Sequence, residues 1–127
     1  MPDKHIYEYA LIRLVPRVER GEYVNVGVIL FSKRLKYLDM RVHLDEHRLT
    51  ALFPDIDMEE IRNYLEVWDL ICQGDPKGGE IAKLDKPERF RWLTAMRSTI
   101  IQNSRVHPGR CTEPEKVLER LFREYVL

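Results

Sequence analysis

Hydrophobic and polar positions alternate most regularly along residues 18–31 of this chain. After the charged residues 19–22, one set of alternating positions holds only apolar side chains: Val24, Val26, Val28 and Leu30. β-Branched residues at a period of two suit a pleated, buried surface. The pattern therefore predicts a strand, and the charged run at residues 19–22 predicts the turn of a β-hairpin.

The partner strand of this hairpin is residues 6–15. If residues 20–21 form the tip, Leu14 faces Gly27 across the two strands. A glycine inside a strand marks a bulge or a close approach of other backbone or of a ligand. We expect a bulge or tight packing at Gly27, with the approach of a ligand as the alternative. Asn25, near the start of the strand, either bonds neighbouring backbone or points at a site.

The rest of the chain predicts two more strands and four helices. The strands fall at residues 35–42 and 98–104, and the helices at residues 44–53, 57–72, 87–97 and 112–126. Asp57 and Thr112 stand where N-cap residues belong, and Pro54 halts the first helix. Residues 105–111 are predicted to form a loop, because they contain a Pro-Gly pair.

This order of elements predicts an α+β domain. Its antiparallel sheet has about four strands, and about four helices pack mainly on one face. The hairpin and the third strand form one part of the sheet. The fourth strand comes late in the chain and pairs with either edge.

At 127 residues, the chain is long enough to bury a core as one domain over residues 1–127, with no linker. Cys72 and Cys111 lack metal-binding spacing and predict reduced thiols. No apolar run approaches the length of a membrane helix, and the N-terminal residues lack the apolar core of a signal peptide. We therefore expect a cytoplasmic protein with no cofactor and no membrane contact.

The charge balance argues against a dedicated nucleic-acid binder, because the chain has 21 basic and 21 acidic residues. Residues 39–75 are nevertheless acidic, and residues 83–111 are basic, with Phe90 and Trp92 interleaved among arginines. Such aromatic residues can stack on bases. The two charged stretches are either solvated faces of neighbouring helices or a polarised surface that binds a partner.

The region before the last helix is the first candidate site. Ser104, Arg105, His107 and Arg110 lie there, ahead of a helix N-terminus that favours anions. They suit a phosphate or carboxylate ligand, or else the arginines pair locally with the acidic first turn of the helix. At the hairpin tip, Arg17, Arg20 and Glu22 are either solvated or contact a partner or a second copy of the chain.

Other chemistry finds little support in the sequence. His43 and His47 stand four residues apart, but a metal ion needs three or four converging ligands. Cys111 lies four residues from His107, which is a weak basis for an activated thiolate. We therefore assign no metal ligand and no catalytic residue.

Several segments resemble the bacterial family of domain of unknown function 3037. They are residues 7–10 (YEYA), 20–28 (RGEYVNVGV), 98–102 (STIIQ), 107–109 (HPG) and the closing residues 121–126. The resemblance implies a stand-alone bacterial cytoplasmic domain with no assigned activity, and a HipA-like kinase as a protein partner. It directs attention to a set of six residues: Arg20, Glu22, Asn25, Gly27, His107 and Arg110.

Two functional hypotheses follow. The first is a non-enzymatic interaction module, an accessory or regulatory subunit with a protein partner or in a homo-oligomer. The second is a binder or enzyme for a phosphorylated or nucleotide-like small molecule. It would use Arg20, His107 and Arg110 as anion donors and Glu22 or His107 as acid or base. The second hypothesis requires the hairpin tip and the 107–110 segment to meet in space.

Overall fold

The computed structural model describes residues 3–127, apart from the side chain of Val18; Met1 and Pro2, which belong to the predicted domain, lie outside the described residues. The described chain has five strands: β1 (His5–Leu14), β2 (Val24–Ser32), β3 (Tyr37–Val42), β4 (Ile101–Asn103) and β5 (His107–Cys111). It has four α-helices: α1 (Glu46–Leu52), α2 (Met58–Gln73), α3 (Lys86–Leu93) and α4 (Pro114–Tyr125). Short 3₁₀ turns occur at Val18–Arg20, Pro76–Gly78 and Ile81–Lys83. This is the α+β class that the sequence predicts.

The sheet is antiparallel and centred on β1 and β2. Its order is β3-β2-β1-β4, and β5 also pairs with β1. β4 pairs with the Leu14 end of β1, whereas β5 pairs with its His5 end. The prediction of a loop at residues 105–111 is therefore wrong for residues 107–111 and holds only for residues 105–106. A Pro-Gly pair usually marks a turn, but an edge strand tolerates proline wherever the missing N–H would point to solvent.

The hairpin forms as predicted, but the predicted register is wrong. Arg13 pairs with Asn25 and Ile12 pairs with Gly27, so Val26 is an extra residue that forms a bulge. Residues 15–23 connect the strands in place of a tight turn. The expected bulge beside Gly27 is confirmed, and so is tight packing there, because a Cβ atom on Gly27 would lie 2.7 Å from the carbonyl oxygen of Arg41.

Both faces of the sheet are covered. Helices α1 to α3 pack on one face, against a core that includes Ala10, Ile12, Leu14, Ile29, Phe31, Leu65, Trp68, Phe90 and Leu93. Helix α4 packs on the other face, against Tyr7, Leu11, Val28 and Leu30. Burial on both sides explains why β2 is apolar at almost every position beyond its first two residues.

The helix boundaries follow local capping chemistry. The carboxylate of Asp57 accepts the Glu60 N–H at 3.1 Å, and Gly74 ends α2 at a φ of 72°, as expected for a glycine C-cap. Two predicted boundaries are wrong. Helix α3 ends at Leu93, four residues before the predicted end, and α4 begins with Glu113 as its N-cap in place of Thr112. Among the described residues, none of the helices has the length and apolar character needed to span a bilayer.

Candidate functional site

A cleft of about 400 Å³ opens beside the connection between β1 and β2; we call it the hairpin cleft. The hairpin side contributes Pro16, Arg17, Arg20 and Glu22. The opposite side is the connection between α1 and α2, together with the adjoining residues of both helices and Ile100: Leu52, Phe53, Pro54, Asp55, Ile56, Asp57 and Glu60. Two predicted site residues, Arg20 and Glu22, therefore lie in a concave site.

The hairpin wall takes its shape from one glycine and one ion pair. Gly21 has a φ of 69°, in the left-handed region that favours glycine, and lets the chain turn back toward β2. Arg20 and Glu22 form an ion pair at 2.8 Å across this turn. Both side chains are more than half exposed, so the pair adds little stability and leaves both groups accessible to a ligand.

The opposite wall combines apolar and acidic side chains. Leu52 is 53% exposed at the end of α1, and Phe53 and Ile56 are half-buried. Asp57 is partly engaged, because it caps α2. In total, four carboxylates and two guanidinium groups line the cleft. The predicted site residues do not include this wall, although two apolar residues in the short connection between α1 and α2, Phe53 and Ile56, are a signal of it.

The 107–110 segment lies elsewhere, on β5. The ring of His107 packs on that of Tyr9, with centroids 5.3 Å apart. Gly109 lies under the ring of Tyr7, so closely that any Cβ atom would overlap it. Arg110 is exposed and pairs with Ile6. These residues hold the strand against β1 and do not form a loop around a ligand.

The structure does not bring the two predicted halves of a small-molecule site together. His107 pairs with Tyr9, and the hairpin connection lies beyond Leu14, five positions further along β1. At about 3.3 Å per residue, this separation is about 17 Å. Arg20 and Glu22 therefore lie beyond the Leu14 end of β1, whereas His107 lies opposite its middle and Arg110 lies near its His5 end.

The remaining predicted residues make contacts within the fold. The Oγ atom of Ser104 accepts the Leu11 N–H at 2.8 Å, and the Ser104 N–H donates to the Leu11 carbonyl at 2.8 Å. Ser104 thereby continues the sheet ladder between β4 and β5. The Asn25 side chain donates to the carbonyl of Tyr125 at 3.3 Å and ties the last turn of α4 to β2.

The thiols and histidines do not form a reactive cluster. Burial raises the pKa of the Cys72 thiol well above its usual range, and burial also raises the pKa of Cys111. Both thiolates are therefore disfavoured at neutral pH. Within residues 3–127, no three histidine, cysteine or acidic side chains converge as a metal ion would require.

Comparison with known proteins identifies one family. A sequence model of the family described as protein of unknown function (DUF3037) matches residues 9–126. No curated protein and no solved structure matches the chain.

Proposed function

We propose that this chain, which belongs to the DUF3037 family of proteins of unknown function, is a non-enzymatic accessory module that binds a segment of a partner protein in the hairpin cleft. The observation that carries the proposal is the composition of the cleft walls. The exposed Leu52 and the half-buried Phe53 and Ile56 stand beside charged groups of both signs. A polypeptide offers complementary groups of each kind.

The cleft favours a basic segment with an apolar anchor. Glu22, Asp55 and Glu60 line it together with the capping carboxylate of Asp57, and Arg20 is already paired with Glu22. Three carboxylates then remain beside the guanidinium of Arg17, and this excess of negative charge attracts lysine or arginine and opposes a phosphate group. A side chain such as leucine or phenylalanine can pack on Leu52 and Phe53. This charge balance favours a protein partner over the phosphorylated or nucleotide-like ligand of the alternative hypothesis.

Catalysis draws no comparable support from the geometry. The anion donors of the alternative hypothesis are separated along β1, and both thiols are buried. We place the module in the bacterial cytoplasm, where buried free thiols persist in their reduced form. The family resemblance makes a HipA-like kinase the first protein partner to test, with the module as its accessory or regulatory subunit.

The first test uses labelled synthetic peptides and fluorescence anisotropy. Each peptide carries a central leucine flanked by lysines, by glutamates or by phosphoserines, and ATP is titrated in parallel. We expect the lysine-flanked peptide to bind the most tightly. Leu52→Asp should weaken its binding roughly tenfold, because it removes an apolar contact of the cleft. The matched control is Leu84→Asp, at a leucine that is 37% exposed and lies beyond the other end of α2.

Several outcomes would overturn the proposal. They are tighter binding of ATP or of the phosphoserine peptide, equal weakening by Leu52→Asp and Leu84→Asp, or no binding of any peptide at millimolar concentration. A second experiment adds a purified HipA-like kinase from the same organism to the immobilised chain. Capture by the wild type but not by Leu52→Asp identifies the kinase as the partner, and failure of capture removes the kinase from the proposal.

A further inference from the structure

Within residues 3–127, no strand pairs with the outer edge of β3, so its outward backbone groups have no partner strand. The His43 N–H donates to the Val26 carbonyl, so His43 directs its N–H toward β2. Because backbone direction alternates along a strand, Leu38, Met40 and Val42 direct their N–H and C=O groups away from β2. Such an edge is a template for another strand.

Grooves flank this edge on both faces of the sheet. On one face, a groove of about 360 Å³ lies between β3 and α2 and is lined by Met40, Val42, Leu44, Arg62, Leu65, Glu66 and Asp69. On the other face, a groove of about 540 Å³ lies between the end of β3 and α4, with Phe122 and Leu127 among its lining residues. An added strand would direct alternate side chains toward the two grooves.

One side chain, that of Asp39, occupies a hydrogen-bonding position at this edge. The carboxylate of Asp39 accepts the outward Met40 N–H at 2.8 Å, and the Gln73 side chain donates to the same oxygen at 2.8 Å. Charged residues at an edge protect a sheet against uncontrolled pairing. The Asp39–Met40 bond is partly buried and the Gln73–Asp39 bond is exposed, so a competing strand that offers Asp39 a partner can displace both.

We infer that the occupant of this edge is a second copy of the chain, whose β3 pairs antiparallel with the first about a twofold axis at Met40. In this register the two Met40 residues exchange backbone hydrogen bonds, and Leu38 of each copy faces Val42 of the other. Asp39 then faces Arg41 of the second copy, and Arg41 faces its Asp39. The dimer therefore has two cross-strand pairs of opposite charge, and a continuous sheet runs through both copies.

Charge complementarity selects this register over its neighbours. A twofold axis at Val42 would place Asp39 opposite Asp45 of the second copy, which is a repulsive pair. An axis at Leu38 would place Asp39 opposite Tyr37 and leave Arg41 facing Leu35. Only the axis at Met40 pairs every outward residue of β3 and both of its charges. None of these residues lines the hairpin cleft, so the dimer and the proposed partner site can coexist.

Charge-swap variants test the dimer by sedimentation equilibrium. The wild type should be a dimer at micromolar to millimolar concentration. Asp39→Arg places two arginines opposite each other, and Arg41→Asp places two aspartates opposite each other, so each variant alone should dimerise at least roughly tenfold more weakly. An equimolar mixture of the two variants restores both opposite-charge pairs and should form a heterodimer. Circular dichroism verifies that each variant is folded.

Hydrogen exchange gives an independent measurement with an internal control. The amides of Leu38 and Val42 point outward and should become protected as the concentration of the chain rises. Those of Asp39 and Arg41 point toward β2 and should be protected at every concentration. The inference is overturned if the wild type stays monomeric at millimolar concentration, if either variant dimerises as tightly as the wild type, or if the mixture gives no heterodimer. A monomer whose β3 edge is protected only by an added extended peptide would identify a different occupant and overturn it equally.

Discussion

At one edge of the sheet β5 presents the exposed Pro108 to the solvent, whereas at the other edge Leu38, Met40 and Val42 of β3 direct their backbone groups away from β2. Leu11 directs its backbone groups toward Ser104, and Tyr9 and Tyr7 follow in alternation, so their partners His107 and Gly109 direct their backbone groups toward β1. The backbone of Pro108, which lies between these two partners, therefore points away from β1. A proline has no N–H to offer another strand. Pro108 therefore removes one donor from the β5 edge permanently, whereas on β3 the outward Met40 N–H is present and bonded to the Asp39 side chain.

The difference shows that two edges of one sheet can have separate roles. Two residues of the 107–109 segment pack on β1, because His107 contacts the ring of Tyr9 and Gly109 leaves room for the ring of Tyr7. Between them, Pro108 removes an outward donor. These are packing requirements of β5. The edge without such a proline is the one that has grooves on both faces and carries the opposite charges of Asp39 and Arg41.

The largest effect on this comparison is expected from Gly109→Ala. A methyl group at this position overlaps the buried ring of Tyr7, so either the ring or β5 must move. We expect the free energy of unfolding to fall by about 3 kcal/mol, at the upper end of overpacking effects. Urea unfolding followed by circular dichroism measures this change.

Two companion variants separate the clash from other effects. Arg110→Ala, at an exposed position of the same strand, should change the free energy of unfolding by no more than about 0.5 kcal/mol. Adding Tyr7→Leu to Gly109→Ala removes the ring, so the double variant should lose less stability than the sum of the single losses. Strict additivity would show that Gly109 does not act through Tyr7.

Elements with strong local signals were predictable from the sequence. Asp57 caps α2 and Gly74 ends it, and both signals depend only on nearby backbone. The alternation at residues 24–31 likewise predicts β2, because β-branched residues at every second position are typical of a buried strand. In the candidate site, Arg20 and Glu22 were found because a charged turn next to a strand is visible in the sequence.

The remaining features depend on contacts between distant residues. A Pro-Gly pair occurs both in turns and in edge strands. Only the pairing of this segment with Tyr7 and Tyr9 shows that it is a strand here. The hairpin register depends on a bulge at Val26, which periodicity cannot locate. The second wall of the cleft comes from the connection between α1 and α2, more than thirty positions from Arg20. Sequence spacing carries no information about that juxtaposition.

A smaller effect comes from titration at the open edge. Burial, and then the charge of Asp39, raise the pKa of Tyr37 to about 12. Between pH 10 and 12 the unfolded chain has lost this proton while the folded chain keeps it, so stability falls as the pH rises. We expect a loss of about 1 kcal/mol for this partly exposed ring after allowing for solvent screening.

The variant Tyr37→Phe should lessen the fall in the free energy of unfolding across this pH range. Tyr23→Phe, at a ring that is 49% exposed, is the control and should follow the wild type. The measurement is a series of urea unfolding curves at pH 9 to 12. Parallel curves for the wild type and Tyr37→Phe would show that the β3 edge does not bury this hydroxyl.

The smallest effect on stability, and the sharpest test of the two edges, is Pro108→Thr in the Asp39→Arg background. In this background the β3 edge should pair at least roughly tenfold more weakly, so association at concentrations where Asp39→Arg alone is monomeric must use another surface. Threonine suits a strand and supplies the outward N–H that proline lacks, and we expect the free energy of unfolding to fall by only about 0.5 kcal/mol. The opened β5 edge should then associate, and sedimentation velocity should show a mass that rises with concentration. If the variant stays as monomeric as Asp39→Arg alone, Pro108 is not what closes the edge, and the shortness of β5 is the remaining physical reason.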